Sequence, residues 1–242
     1  MLTESTLRQA STSRFRAIAA TCAMLVAAML ASLLGMGTAR AGDPPPGSPP
    51  PGIFIYTISR DGEPIGQQRL EFVVDGNKLR VISHTDLDVR FMGMNLYGFN
   101  QQVEEVRADG RIVSLTSEAD DDGTDKKVDL ALQSGRLKGE FNGKAIKHDI
   151  DPSLTTSLFW QQPPTGAVTV LDCLRGKARD VTVSDLGAAT LDLPVGRVQA
   201  HHLRVAGDIA RELWYDAKGI LVAGQVTAKD GSTVRQELQQ RP

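Results

Sequence analysis

Residues 212–227 read ELWYDAKGILVAGQVT, and the fold turns on how they are read. As an extended strand, Glu212–Asp216 places Leu213 and Tyr215 on one face and Trp214 and Asp216 on the other, because successive side chains alternate across a strand. Lys218-Gly219 is a turn dipeptide, after which Ile220, Val222 and Val226 resume the apolar pattern. The stretch is therefore expected to form a β-hairpin with large apolar groups on both faces. Both faces then need cover, and Ser157-Leu158-Phe159-Trp160 is the aromatic-bearing segment available as a plug or lid.

The same period of two runs through the chain from Ile53 onward. In FIYTI, Phe54, Tyr56 and Ile58 share a face; in KVDLALQ, Val128, Leu130 and Leu132 do; in AIKHDI, Ile146, His148 and Ile150 are expected to do the same. Turn dipeptides such as Asp61-Gly62, Asp109-Gly110, Ser134-Gly135, Asn142-Gly143 and Asp230-Gly231 punctuate these runs, so consecutive strands should form an antiparallel meander. The break is DPSLTTSLFWQQPP, where Asp151-Pro152 and Pro163-Pro164 bracket a segment expected to be a short helix or an ordered loop. About a dozen strands exceed what a flat open sheet usually carries. The expected fold is all-β, an antiparallel meander curled into a barrel or half-barrel, with a two-sheet sandwich as the alternative.

The N-terminus bears on compartment. Arg8, Arg14 and Arg16 precede the apolar run Ala17–Met36, and Ala39-Arg40-Ala41 follows it, the order of a secretory signal peptide over residues 1–41. The expected location is periplasmic or secreted; the alternative is a membrane anchor left uncleaved, since the run is long enough to span a bilayer. GDPPPGSPPPG, residues 42–52, reads as an extended proline-rich linker, and residues 53–242 as a single β-rich domain. Four of the 27 basic residues but one of the 29 acidic ones lie before residue 42, so the remainder is mildly acidic and a poor match for nucleic acid. Beyond Cys22 in the apolar run there is only Cys173, so an intrachain disulfide in the domain is not expected.

The chain has no Gly-x-Ser-x-Gly elbow, no His-Glu-x-x-His and no Cys-x-x-Cys, so hydrolase, zinc-protease and thiol-redox readings lack their minimum residues. GEFNGKA, residues 139–145, has the wrong spacing for a phosphate loop and reads as a hairpin. The acids of EADDDGTD, residues 118–125, read as a solvated hairpin tip rather than a calcium loop. His201 and His202 are adjacent and point to opposite faces, so they cannot chelate one metal together. No metal, cofactor or catalytic residue is assigned.

YTISRDGEPIG (56–66), DLDVRFMGM (86–94), VEEVRADGRIVSLTSEADDDG (103–123), TSLFW (156–160) and LWYDAKGILV (213–222) together resemble an uncharacterised bacterial exported β-rich family, known as a domain of unknown function. The resemblance covers almost all of the chain beyond the N-terminal segment. It implies an aromatic near Arg107, which this chain lacks. More loosely, the curled sheet and the LWYDAKG hairpin are similar to periplasmic lipoprotein carriers and other calycin-like lipid binders, a likeness of fold alone. The resulting expectation is a non-enzymatic exported barrel that binds an apolar or amphipathic small molecule, with Phe159, Trp160, Trp214, Tyr215 and His148 as candidate ligand-binding residues. A cell-envelope module that binds a protein partner is the alternative reading, and an enzyme the third. After signal cleavage no integral membrane domain is expected.

Overall fold

The alternating apolar runs are strands. A computed structural model describes residues 48–91 and 94–242, and the expected signal peptide with its cleavage site lies outside the described residues. From the N-terminal side come β1 (Gly52–Arg60), β2 (Glu63–Asp75), β3 (Lys78–Phe91), β4 (Met94–Ala108), β5 (Arg111–Asp121), β6 (Thr124–Gln133), β7 (Arg136–Phe141) and β8 (Lys144–Ala145). After the proline-bracketed insert, which holds β9 (Thr155–Thr156), come β10 (Gly166–Asp172), β11 (Lys177–Leu193), β12 (Gly196–Gly207), β13 (Arg211–Asp216), β14 (Leu221–Thr227) and β15 (Thr233–Gln240). No helix occurs among the described residues.

Hairpin chemistry fixes the connections. Asp109-Gly110 and Asn142-Gly143 each hold two successive positive φ values, 50° and 76° and then 49° and 71°, the conformation that matches strand twist in a two-residue hairpin. At Lys218-Gly219 the Asp216 carboxylate caps the turn, its Oδ1 accepting from the Lys218 and Ile220 amides at 2.9 and 3.0 Å.

The described strands form one sheet in the order β8-β7-β6-β5-β4-β3-β2-β1-β15-β14-β13-β12-β11-β10-β9. The chain thus starts mid-sheet on β1, winds out to β8, crosses through the insert to the far end and winds back until β15 pairs with β1. All pairings are antiparallel except β9 with β10, where Thr155 and Thr156 lie beside Val170 and Leu171 in parallel. One sheet, rather than two packed sheets, rules out the sandwich. The sheet curls: a Cβ added to Gly176, in the β10–β11 turn near one end, would lie 3.0 Å from Val128 Cγ1 on β6, near the other. Among the described residues the two end strands are not paired with each other, so the result is a half-barrel whose seam the insert crosses.

Alternation sends Phe54, Tyr56, Leu70, Phe72, Val81, Val103, Leu115 and Leu130 into the interior, where they pack as the main core with Trp160. Burial of each such side chain stabilises the fold by about 1.5–3 kcal/mol. A second cluster gathers Leu213 and Tyr215 of β13 with Leu203, Val205, Val183 and the insert's Phe159. β13 is therefore apolar on both faces, with Trp214 in the main cluster and its neighbours in the second.

AIKHDI is not the strand its alternation suggested. Regular pairing stops at Ala145, and the chain returns to the sheet at Ile150, which is bridged to Leu137. Ile146 and Ile150 anchor this span to the core, while His148 between them is exposed rather than on an apolar face. Two apolar residues four apart fit a loop pinned at both ends as well as a strand face.

Candidate functional site

The insert is the structural centre of the interior. Its Pro152 carbonyl accepts from the Ile112 amide at 2.8 Å, its Leu154 carbonyl from Arg107 Nη2 at 2.7 Å, and its Ser157 amide donates to the Leu171 carbonyl at 2.8 Å. It is thereby tied to β4 and β5 on one side and to β10 on the other. Alternation along β4 puts Glu105 and Arg107 on the same inward face as Val103, and both are buried in an ion pair. Glu105 Oε2 also accepts from Thr156 Oγ1 at 2.8 Å and from Trp160 Nε1 at 3.0 Å, and the Arg107 guanidinium lies 5.5 Å from the Trp160 ring centroid. Removing two charges from water is costly, and these extra bonds offset part of that cost by giving the carboxylate and the guanidinium further partners. Phe159 sits at φ 51°, a conformation rare for an aromatic residue; its carbonyl accepts from the Tyr215 hydroxyl at 2.8 Å. Conformational strain of this kind persists only where the surroundings over-determine it.

Beside this plug lies a cavity of about 460 Å³, within the range of small-molecule sites. Ile58, Leu87, Phe99, Leu158, Val226 and Val234 supply apolar wall from both halves of the sheet and the insert. Neutral polar wall comes from Gln68, Thr85, Gln101 and Gln236. These amides are partly satisfied among themselves: Gln236 Nε2 donates to Gln68 Oε1 at 2.6 Å, Gln68 Nε2 to Ser83 Oγ at 3.0 Å, and Gln101 Nε2 to Ser117 Oγ at 3.0 Å. The charged wall is Asp172, Arg175, Arg179, Asp208 and Arg211. Asp172 is engaged by Arg179 at 3.3 Å, by Arg175 at 3.7 Å and by the Leu174 amide at 2.9 Å. Arg211 shares its face of β13 with Leu213 and Tyr215; its guanidinium lies 5.8 Å from the Phe159 ring centroid, and among the described residues that guanidinium makes no hydrogen bond or ion pair. Burial lowers its pKa, with Tyr215, Asp172 and Cys173 opposing that shift. An arginine so placed remains a cation near neutral pH.

A family model, Domain of unknown function (DUF6134), matches residues 56–239. The chain belongs to that family. No curated protein matches the chain. Among solved structures, the crystal structure of a beta-barrel-like protein of Domain of Unknown Function DUF1849 from Brucella abortus is similar, with a TM-score of 0.58 over 78% of this chain and 95% of that one. At 13% identity the likeness speaks to the fold alone, and the fold it supports is the curled β-barrel-like sheet described above.

In this DUF6134 chain the residues singled out from the sequence do not form one site. Phe159 and Trp160 are buried in the plug, and Tyr215 is buried against Phe159. Trp214 stacks on His202 at 4.3 Å between centroids, with Arg235 at 5.5 Å from its ring. None of these four, nor the exposed His148, is among the cavity walls. Of the insert, it is Ser157 and Leu158 that reach the cavity.

Cys173 is a buried thiol, its pKa pushed up to about 12 chiefly by burial, with the Glu105 charge adding to the shift. The acidic tip behaves as a hairpin end: Asp120 accepts from the Gly123 amide and Asp121 pairs with Lys126 and Tyr97. Among the described residues no group of three His, Cys, Asp or Glu side chains is placed to hold a metal ion. The residues that line the cavity were missed because they come from strands up to 178 positions apart, Ile58 to Gln236, and only the sheet order brings them together. Arg211 stands in phase with Leu213 and Tyr215, as Arg179 does with Val181 and Val183, but a charge so placed reads as a surface group until its surroundings are known.

Proposed function

We propose that this is an exported, non-catalytic domain that takes an apolar or amphipathic small molecule into its half-barrel. The observation that carries the reading is the cavity of about 460 Å³, whose wall over β1–β4 and β14–β15 is made of apolar side chains and neutral amides that hydrogen-bond to one another, its charged groups coming from the β10–β13 side. Such a wall accepts an alkyl chain without leaving many polar groups unsatisfied. The buried thiol of Cys173, held protonated, makes a poor nucleophile, which favours binding over covalent chemistry. The sheet ends favour the same reading over a partner docked by strand addition. The edge strands β8 and β9 are two residues long, and β8 carries exposed Lys144, features that discourage pairing with another chain.

Native mass spectrometry of the protein recovered from cells without detergent tests both halves of the proposal. The expected mass is that of a chain beginning at Gly42 together with a retained small ligand. A chain that retains residues 1–41 in the membrane fraction would overturn export by cleavage. Ligand-free protein that takes up neither dodecanoate nor dodecanol would overturn the binding role.

A further inference from the structure

Three arginines and two aspartates face the cavity, but they are not equivalent. Arg179 is hydrogen-bonded to Asp172, which also accepts from the Leu174 amide, while Arg175, with its side chain 43% exposed to water, pairs with the same carboxylate at 3.7 Å. Asp208 is exposed, and its backbone amide is bonded to the Asp180 carbonyl. Arg211 is different. It is half-buried, projects from the inward face of β13, and among the described residues none of its five N–H donors is engaged. Its one close neighbour in charge terms is the face of Phe159, which attracts a cation weakly but accepts no in-plane hydrogen bond. Asp172 is near enough to be felt but is already shared between two other arginines.

A guanidinium taken partly out of water without a counterion is costly, and a planar fork of donors matches a carboxylate or phosphate in bidentate geometry. The wall formed by Ile58, Leu87, Phe99, Val226 and Val234 carries no charge and suits an alkyl chain. We infer that the cavity takes an amphiphile with one anionic head group, the head held by Arg211 and the chain lying along the β1–β4 and β14–β15 wall. This rests on the cavity-binding reading above and adds the sign and position of the ligand's charge. Selection is by charge as well as by shape: a neutral amphiphile of equal chain length leaves Arg211 unpaired, whereas an anionic one satisfies it.

Isothermal titration calorimetry with dodecanoate and dodecanol, on the protein recovered from cells and freed of bound lipid, decides the matter. Dodecanoate should bind more tightly than dodecanol. Arg211→Gln should weaken dodecanoate by about tenfold to a hundredfold, the range for a lost charge-assisted hydrogen bond, and leave dodecanol unchanged. Arg211→Lys, which keeps the charge and loses the fork, should fall between the wild type and Arg211→Gln. If Arg211→Gln fails to fold, the wild-type comparison of the two probes and the Arg211→Lys titration still decide. Equal affinity for both probes, or a loss in Arg211→Gln that is the same for both, overturns the inference and leaves the cavity reading standing. Failure of both probes to bind the wild type overturns the cavity reading, and the inference with it.

Discussion

Glu105→Gln should destabilise the protein by about 3–5 kcal/mol, the range for removing one partner of a buried ion pair. The side chain keeps its size, so no cavity opens, and the cost is electrostatic. Arg107, buried and held by the Gly110 and Leu154 carbonyls, loses its counterion, and the new amide can satisfy Thr156 and Trp160 only by turning its NH2 toward the guanidinium. For a domain of this length each kcal/mol moves the melting midpoint by about 2–4 °C, so a shift of roughly 6–20 °C is expected. Urea unfolding followed by tryptophan emission is the assay, because Trp160 reports from the site itself; the slope should be unchanged and the midpoint lowered. The double variant Glu105→Gln/Arg107→Met should lose less than the two single variants combined, with a coupling of about 0.5–3 kcal/mol. A single-variant cost below about 1 kcal/mol, typical of an exposed substitution, would refute the argument that this pair is a dry anchor for the insert.

Trp160→Ala should cost about 3–5 kcal/mol in the same assay, and Trp160→Phe a smaller amount set mainly by the lost bond to Glu105. Cys173 should resist iodoacetamide until the protein unfolds. Its folded pKa is raised from 9.0 to about 12, so the unfolded chain releases this proton first and stability should fall as pH rises from about 9 to about 12. Cys173→Ala should flatten that fall, as read from urea midpoints across the range. Gly139→Ala should destabilise by about 1–3 kcal/mol, because its Cβ would lie 1.8 Å from the Asp129 carbonyl oxygen and force β7 away from β6.

Strands were legible wherever alternation ran long enough to dominate. Val128, Leu130 and Leu132 sit on one face of β6, Phe54 and Tyr56 on one face of β1, and Tyr215 and Trp214 on opposite faces of β13. Turns were legible because Asp-Gly and Asn-Gly carry their positive φ in the residue types themselves. Which strands would meet after the long connection was not legible. Whether β15 returns to β1 depends on the crossover through the insert, and no local pattern encodes it. The parallel pairing of Thr155-Thr156 with β10 is likewise too short to leave a periodic trace. His148 failed for the opposite reason, since a window of five residues satisfied the pattern without being a strand. The Glu105–Arg107 pair stood in plain alternation with Val103, but a charged residue in phase with apolar ones reads as a surface group unless its partners are known.

The insert explains why a half-barrel of this size keeps a cavity at all. An apolar interior left empty collapses or fills, since voids forfeit packing contacts. Here Phe159 and Trp160 fill the part of the interior beside β4 and β13, and the bonds to Glu105 and Tyr215 fix where that filling stops. Two residues earlier the same chain presents Ser157 and Leu158 as cavity wall, with the Ser157 hydroxyl accepting from the Cys173 amide at 3.0 Å. Plug and wall are therefore one covalent unit, pinned on both sides of the seam. Whatever loosens the Glu105 network should then also blur the cavity wall, so loss of stability in Glu105→Gln and loss of any bound amphiphile should appear together, although Glu105 lies outside the cavity lining.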